Sequence, residues 1–287
     1  MDTSVLQSFL TIAQTGSFST AAEQLHLTQP AISKRIANFE SHLSKKVFDR
    51  VGRKILLTEA GEKILPRVQH ILSQQSALKE DIAELGDVVE GSLTMGTSHH
   101  IGLHHLPPIL RQYNQSYPKV ELDLHFIDSE AACLAVEQGT LALAIVTLPS
   151  NPSKQLVCTP IWQDPLTVVV SKDHPLAFAP CLFETLVEFP ALLPNEGTFT
   201  RAIVKKALQP LDLTLNIGLT TNYLETLKMM VSVGLGWSIL PASMIDNDLK
   251  ALSFPNFFPQ RQLGIVHHRQ RSLSVAAQKF VQSLPNH

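Results

Sequence analysis

The sequence has 287 residues. It has few cysteines, little excess of either charge and no long apolar runs. Its three cysteines, Cys133, Cys158 and Cys181, are odd in number and far apart. They exclude a disulfide framework and a cysteine-type zinc site, and they suit a reducing cytoplasm. No apolar run approaches the roughly 18 residues that span a membrane. No positive charge precedes an apolar stretch at the start, so we expect no secretion signal.

The charge is small overall but unevenly distributed. A net charge of −2 excludes a uniformly basic, histone-like protein. Seven Lys or Arg residues, all within 34–54, stand against four acids over residues 1–58, whereas 59–87 and 88–287 carry net charges of −3 and −2. A compact basic head, residues 1–58, before a slightly acidic body is the arrangement expected of a DNA-binding regulator. A solvated charged face is the alternative interpretation.

Three helices are predicted in the head, because apolar residues recur at helical spacing near 2–14, 18–25 and 29–42. Thr20 and Glu23 have the spacing of a capping box in the second helix. The residues predicted to face inward are Val5, Leu6, Phe9, Leu10, Ala13, Ala21, Ala22, Leu25, Ile32, Ile36, Phe39 and Leu43.

A tight turn at His26–Leu27 separates the second and third helices by the spacing of a helix-turn-helix. Thr28 is predicted to cap the third helix, and Pro30 falls in its first turn, where the missing N–H costs little. In this motif the second of the two helices places its N-terminal residues in the major groove. The exposed candidates for base or phosphate contacts are Gln29, Ser33, Lys34, Arg35 and Asn38.

Residues 48–58 are predicted to form a short hairpin with Gly52 at its turn. Arg53 lies at the tip and Arg50 precedes the turn, and we count both as DNA-contact candidates. A basic hairpin tip suits the minor groove or the flanking phosphates. Helix-turn-helix, basic helix and basic wing therefore occur together and in order. The alternative is a small helical subdomain that binds no nucleic acid.

The segment 17–33, Ser-Phe-Ser-Thr-Ala-Ala-Glu-Gln-Leu-His-Leu-Thr-Gln-Pro-Ala-Ile-Ser, resembles the N-terminal signature of LysR-type transcriptional regulators. Val47-Phe48-Asp49-Arg50 and Leu57-Thr58-Glu59-Ala60-Gly61 extend the resemblance, as do the chain length and the later segments. It implies that a dimer of heads binds double-stranded DNA at an inverted repeat. It also implies base or backbone contacts by Gln29, Pro30, Ser33 and Lys34, with Arg53 at the wing tip.

Residues 58–87 show one long helical pattern that predicts a dimerisation helix. Its apolar seam has a heptad period with one polar interruption, Gln75. Pro66 is expected to kink the helix, and Gly86 and Gly91 flank a predicted hinge. An amphipathic helix packed on its own domain is the alternative. The seam consists of Ile64, Val68, Ile71, Gln75, Leu78, Ile82 and Leu85.

The resemblance implies an antiparallel pair of linker helices. We therefore expect a homodimer that assembles into a homotetramer, with RNA polymerase as a candidate partner. The predicted domains are 1–58, the DNA-binding domain, 59–87, the linker helix, and 91–287, the regulatory domain.

The regulatory domain is predicted to be α/β, because strands alternate with helices in a pattern that implies a parallel sheet covered by helices on both faces. It resembles the periplasmic-binding-protein-like domain of the same family. Its subdomain I covers about 91–161 and 265–287, and subdomain II about 162–264. The predicted strands are 93–97, 120–127, 141–146, 165–170, 191–193, 215–219, 237–240 and 263–267, and the predicted helices are 101–117, 129–138, 198–208, 222–234 and 273–284.

Hydroxyl and amide side chains follow several of these strands, where ligands of open α/β sheets bind. Helix N-termini at these points favour anions. We therefore expect a small effector, a carboxylate or another oxyanion, between the two subdomains, and no cofactor. The alternative is that the hydroxyls only cap helices. The effector-binding candidates are Thr97, Ser98, His99, Ser129, Thr147, Thr198, Phe199 and Asn222.

Histidines at 99, 100, 104 and 105 form a conspicuous cluster. His100 and His104 are four residues apart and can share a metal, but no nearby cysteine completes a ligand set, so we expect no metal site. The cysteines lack a neighbouring base or resolving cysteine that would mark a redox sensor.

No GxSxG elbow, P-loop or HExxH motif occurs in the sequence, so an enzyme is not expected. The sequence predicts a cytoplasmic bacterial transcriptional regulator with an N-terminal winged helix-turn-helix and a periplasmic-binding-protein-like effector domain. The alternative is a small-molecule-binding or enzymatic protein with an accessory helical head.

Overall fold

The computed structural model describes residues 2–51, 54–83, 89–178 and 182–285. None of the helices in these ranges combines the length and the hydropathy needed to cross a bilayer. The predictions for five residues lie outside the described part of the chain, namely Gly52, Arg53, Leu85, Gly86 and Cys181.

Contacts divide the chain into two compact units. One comprises residues 1–88 with 138–140, and the other comprises 89–137 with 141–287. The first contains the head and the predicted linker helix, and the second contains the predicted regulatory domain.

The head consists of three helices and a two-stranded antiparallel hairpin, as the sequence predicted. The helices are α1 (Thr3–Thr15), α2 (Phe18–Gln24) and α3 (Gln29–Leu43). The strands β1 (Phe48–Val51) and β2 (Lys54–Leu57) pair from Phe48 against Leu57 to Val51 against Lys54.

Local side-chain bonds set the starts of the helices. The Thr28 hydroxyl accepts the Ala31 N–H at 3.4 Å and caps α3. The predicted capping box at Thr20 and Glu23 is wrong: Ser17 caps α2, and its hydroxyl accepts the Thr20 N–H at 3.3 Å. The helix therefore begins one turn earlier than that box requires.

Aromatic rings form the centre of the head. Phe9 is fully buried, and its ring centroid lies 5.7 Å from Phe39 and 5.2 Å from Phe48. Leu43, predicted to face inward, is instead 37% exposed. It is the last residue of α3, where the chain turns at Ser44 with a φ of 50°, so it lies past the packed face of the helix.

The linker pattern forms one continuous helix, α4 (Glu59–Ala83), which runs through Pro66. The Thr58 hydroxyl accepts the Gly61 N–H at 3.1 Å near its start. Val68 is buried in the core of the head and Ile64 packs beside it. The first turns of α4 therefore belong to the hydrophobic core of their own unit.

The predicted heptad seam is not one uniform surface. Gln75 donates from its Nε2 to the Thr3 hydroxyl at 3.2 Å, so this polar position is paired with α1 of its own chain. Ile71 and Leu78 are 42% and 61% exposed, so these two apolar positions of the seam remain open. The alternative of a helix packed on its own domain holds for the first half of the seam.

The second unit alternates strands and helices from residue 91 onwards. Its strands are β3 (Gly91–Thr97), β4 (Val120–Phe126), β5 (Leu143–Thr147), β6 (Leu156–Ser171), β7 (Ala191–Leu193), β8 (Ile217–Thr220), β9 (Ser238–Pro241), β10 (Leu249–Leu252) and β11 (Gln260–His268). Its helices are α5 (His99–His104), α6 (Leu106–Ser116), α7 (Ser129–Gln138), α8 (Phe183–Leu186), α9 (Phe199–Leu208), α10 (Leu224–Ser232) and α11 (Val275–Gln282).

The principal sheet is mixed rather than wholly parallel. Strand β3 pairs in parallel with β4 and β5, but β11 pairs antiparallel with both β5 and β6. The first part of β6 pairs with β11, and from Leu166 onwards β6 pairs with β9 and β10. The long strands β6 and β11 thus connect subdomains I and II.

The predicted helix at 101–117 is two helices, α5 and α6, that meet at His105. Pro107 and Pro108 explain the break, because neither has an N–H to continue the helical hydrogen bonds. The sequence also missed α8, β10 and the first half of β6.

Each subdomain has its own hydrophobic core. In subdomain I, buried Tyr113 packs on Phe280 and donates from its hydroxyl to the Ala276 carbonyl at 2.7 Å. Burial raises the pKa of Tyr113 to about 12. In subdomain II, fully buried Trp237 donates from Nε1 to the Phe189 carbonyl at 3.1 Å. These cores hold rigid walls on the two sides of the connecting strands.

Candidate functional site

The predicted recognition helix, α3, presents polar side chains to solvent. Gln29, Pro30, Lys34 and Asn38 are exposed, whereas Ser33 and Arg35 are half-buried. Gln29 donates from Nε2 to the Ser33 hydroxyl at 3.2 Å, and Arg35 donates from Nη1 to the Ser8 hydroxyl at 3.5 Å. The Arg35 guanidinium is therefore directed towards α1. The side chain of Arg50 lies outside the described part of the structure.

A cleft of about 490 Å³ lies between subdomains I and II. Eight residues were predicted to contact an effector, and six of them line this cleft: Ser98, His99, Ser129, Thr147, Thr198 and Asn222.

Thr97 and Phe199 are not among the cleft-lining residues. The Thr97 side chain is buried, and its hydroxyl donates to the Ile145 carbonyl at 3.0 Å. Phe199 packs against the hydrophobic cluster of subdomain I that contains Cys133. Its backbone N–H, rather than its ring, makes the polar contact across the cleft, to Glu130.

The cleft hydroxyls differ in what they already bind. Thr198 caps α9, because its hydroxyl accepts the Arg201 N–H at 3.2 Å and donates to the Asn195 carbonyl at 2.9 Å. Ser129 accepts the Thr147 N–H at 3.2 Å. Ser98 precedes α5, yet its side chain makes no capping bond with the described residues. Capping therefore accounts for Thr198 but not for Ser98.

Two acidic side chains of subdomain I reach subdomain II, and neither was among the predicted effector contacts. Asp128 accepts a hydrogen bond from the Asn222 side-chain amide at 2.7 Å, and Glu130 accepts the Phe199 N–H at the start of α9. Both acids line the cleft. Their position beside Ser129, at the end of a predicted strand, was the available signal.

A buried arginine also lines the cleft and was not predicted. Arg261 donates from Nε to Asp164 at 3.0 Å, and its Nη2 makes a second, short contact with the same carboxylate. Its Nη1 donates to the Thr200 hydroxyl at 3.1 Å. Both charged side chains are about 95% buried, so each needs the other for electrostatic compensation.

Histidines of α5 meet an acid of α10 beside the cleft. His100 Nδ1 and His104 Nε2 each lie 3.1 Å from Glu225 Oε1. Burial alone raises the pKa of Glu225. The hydrogen bond from His100, a backbone hydrogen bond at Glu225, the charge of His100 and the hydrogen bond from His104 overcome this and lower the pKa to about 2. Glu225 is therefore ionised at neutral pH.

The other histidines of this cluster are held by aromatic rings. The His99 ring lies edge-on to Phe126 and Tyr223, at centroid distances of 6.3 and 5.3 Å. His105 packs at 4.9 Å from Trp162. Burial, together with the neighbouring His100, lowers the pKa of His105.

The two described cysteines are poor nucleophiles. Burial raises the pKa of Cys133 to about 12 and also raises that of Cys158. Since the thiolate is the reactive form, their environment disfavours redox chemistry at neutral pH.

Two family models match the chain. The model described as a bacterial regulatory helix-turn-helix protein of the lysR family matches residues 4–62. The model described as a LysR substrate binding domain matches residues 86–287.

Curated relatives match along nearly the whole chain. It is 30% identical over 285 residues to the HTH-type transcriptional activator CmpR of Synechocystis sp., covering 97% of this chain and 93% of the relative. It is 31% identical over 302 residues to the HTH-type transcriptional regulator YybE of Bacillus subtilis, covering 100% and 99%. Both relatives are named as regulators of transcription, not as enzymes.

Solved structures show the same fold. A full-length OxyR variant from Pseudomonas aeruginosa has a TM-score of 0.76 at 25% identity, over 99% of this chain and 93% of that one. Full-length CbnR, solved with its target DNA, has a TM-score of 0.69 at 19% identity, over 99% of both chains. The chain therefore belongs to the LysR family, and it is a DNA-binding transcriptional regulator with a substrate-binding domain.

Proposed function

We propose that this regulator binds an inverted repeat through paired heads and is controlled by a small anionic effector in the cleft. Exposed Ile71 and Leu78 on α4 offer an apolar surface to the same helix of a second copy. We further propose that such dimers assemble into a homotetramer on DNA in the cytoplasm, where contact with RNA polymerase completes the control of transcription.

The DNA part of the proposal rests on the exposed side chains of α3. The amides of Gln29 and Asn38 can pair with adenine edges, and Lys34 can neutralise a phosphate. A phosphate contact adds about one unit to the salt dependence of binding.

Lys34→Ala tests this assignment. We expect the slope of log K against log salt to fall by about one, measured by fluorescence anisotropy on promoter DNA over a range of salt concentrations. Lys206→Ala, an exposed lysine on α9, is the matched control and should leave the slope unchanged. An unchanged slope for Lys34→Ala at every salt concentration contradicts the phosphate contact.

The effector part rests chiefly on Ser98, a cleft hydroxyl that does not cap its own helix. Arg261 also lines the cleft, but Asp164 compensates its charge. The acids Asp128 and Glu130 also line the cleft, but each already accepts a hydrogen bond from subdomain II. An effector carboxylate can therefore bind at Ser98 while Asp128, Glu130 and Arg261 keep their present partners.

Matched compounds test the charge of the effector. We would screen the full-length protein by thermal shift against carboxylates and their corresponding primary amides. A ligand at about 100 times its Kd adds roughly 2.7 kcal/mol to the folded state. A shift with a carboxylate and none with its amide supports the proposal, and a shift only with amides or cations overturns it.

Ser98→Ala should weaken a carboxylate found in this screen, because the variant loses a hydrogen-bond donor. Ser92→Ala, an exposed serine on β3, is the control and should bind as the wild type does. Coupling to DNA is tested by footprinting with Ser98→Ala combined with Thr147→Ala. If the double variant no longer binds the effector but its footprint still changes when the effector is added, control from the cleft is contradicted.

A further inference from the structure

The cluster formed by His100, His104 and Glu225 has the composition of a metal site. One nitrogen from each imidazole and one carboxylate oxygen lie within 4.8 Å of one another. The two histidines are one turn apart on α5, and Glu225 lies in the first turn of α10. The sequence could not supply this third ligand, because it lies 121 positions beyond His104.

Two atoms of the cluster are buried without a hydrogen-bond partner among the described residues: Nε2 of His100 and Oε2 of Glu225. His100 is only 4% exposed, so solvent does not compensate its ring nitrogen. Unpartnered buried polar atoms cost free energy, so the hydrogen bonds among these three side chains leave the cluster incompletely satisfied. The atoms that face one another are His100 Nδ1, His104 Nε2 and Glu225 Oε1, and these are the expected ligand atoms.

The spacing fits a transition-metal ion. Zinc bonds of about 2.0–2.2 Å to nitrogen and oxygen at tetrahedral angles place neighbouring ligand atoms about 3.3 Å apart. Both imidazole nitrogens lie 3.1 Å from the same Glu225 oxygen. All three ligand atoms lie within 4.8 Å of one another, so small shifts of these side chains bring them to bonding distance from one ion. Two imidazoles and one carboxylate also form a donor set that zinc prefers over calcium or magnesium.

We propose that His100, His104 and Glu225 bind a divalent transition metal, with Zn²⁺ as the expected ion. Three protein ligands leave a fourth position for water or for a ligand in the neighbouring cleft, which His100 also lines. The histidines belong to subdomain I and the acid to subdomain II, so the ion joins the two subdomains. Metal binding stands independently of the proposed effector and DNA contacts, whereas its regulatory consequence rests on the proposed function.

Metal binding can be measured without DNA or effector. We would treat full-length protein with a chelator, remove the chelator, and titrate Zn²⁺ by calorimetry and Co²⁺ by visible absorption. We expect one ion per chain and the intense d–d bands of tetrahedral Co²⁺. The absence of saturable Zn²⁺ binding in the micromolar range overturns the proposal.

Variants locate the ion. His104→Gln and Glu225→Gln should each weaken Zn²⁺ by about tenfold or more and remove the Co²⁺ bands. His125→Gln, which removes an exposed histidine paired with Asp123, is the matched control and should bind as the wild type does. Equal binding by wild type, His104→Gln and Glu225→Gln overturns the site and assigns the metal to other surface groups.

His104 is 48% exposed, so its replacement should leave the fold intact, as checked by circular dichroism. If Glu225→Gln disturbs folding, the Zn²⁺ affinities of His104→Gln and His125→Gln are sufficient to test the site. If Lys34→Ala weakens DNA binding but retains Zn²⁺ binding, the metal site is shown to be independent of the proposed DNA contact.

Discussion

The helix-capping bonds of the head join residues that are close in the sequence, whereas the bonds of charged side chains around the cleft join distant ones. The caps at Asp2, Ser17 and Thr28 bind backbone N–H groups two or three residues later. Around the cleft, five bonds of charged side chains join residues that are 61 to 125 positions apart. The head is therefore shaped by local rules and an apolar core.

This difference matters for regulation. Glu130, Asp128 and Glu225 each contact the opposite subdomain, so a change in the angle between the subdomains must break or replace these bonds. A ligand or ion that binds the same groups can shift that balance only by its difference in affinity for the two arrangements. The head offers a fixed reading surface, and the cleft offers bonds that a ligand can exchange.

The largest expected effect comes from breaking the buried ion pair of the cleft. Arg261→Met leaves Asp164 buried and unpaired, so we expect the free energy of unfolding of the second unit to fall by about 3–5 kcal/mol. Trp162 and Trp237, the only two tryptophans of the chain, both lie in this unit. Urea unfolding followed by tryptophan fluorescence therefore reports on it selectively.

The double variant Asp164→Leu with Arg261→Met is the control for this prediction. It removes both charges, so most of the lost stability should return. Equal losses in the single and double variants would show that packing, rather than an uncompensated charge, causes the effect.

A smaller effect is expected where the head reads a base. If Gln29 pairs with an adenine edge, Gln29→Ala should cost about 1–3 kcal/mol of binding free energy on the specific site and relax the preference at one base pair. Binding to a panel of single-base variants of the promoter site measures this. Gln112→Ala, an exposed glutamine on α6, should change neither affinity nor preference. Equal losses on all DNA sequences would make Gln29 a backbone contact.

The same contrast explains which features the sequence could predict. The order of elements in the head, the cap at Thr28 and the hairpin follow from signals within a few residues. Arg261 and Glu225 could not be assigned, because their partners are 97 and 125 positions away and only the fold brings them together. Neither residue forms a recognisable motif with its neighbours in the sequence.

Some errors came from local signals that were available but read too broadly. Pro107 and Pro108 mark the break between α5 and α6 directly. The heptad period over residues 58–87 predicts one surface, but Val68 is buried in the head and Leu78 is exposed. A heptad period identifies one face of a helix but not what packs against that face. Along this helix, the first part of the face packs against the head and a later part is exposed.

The smallest predicted effect compares two helix starts that look alike in the sequence, a hydroxyl residue directly before each helix. Thr28 makes a capping bond to α3, so Thr28→Ala should cost about 1 kcal/mol and lower the hydrogen-exchange protection of the α3 amides. Ser98 makes no such bond to α5, so Ser98→Ala should leave the protection of α5 unchanged while it weakens a bound carboxylate. Exchange measured by mass spectrometry on both variants tests the pair. Lower protection of α5 in Ser98→Ala would show that Ser98 is a structural cap, and the effector contact would lose its main support.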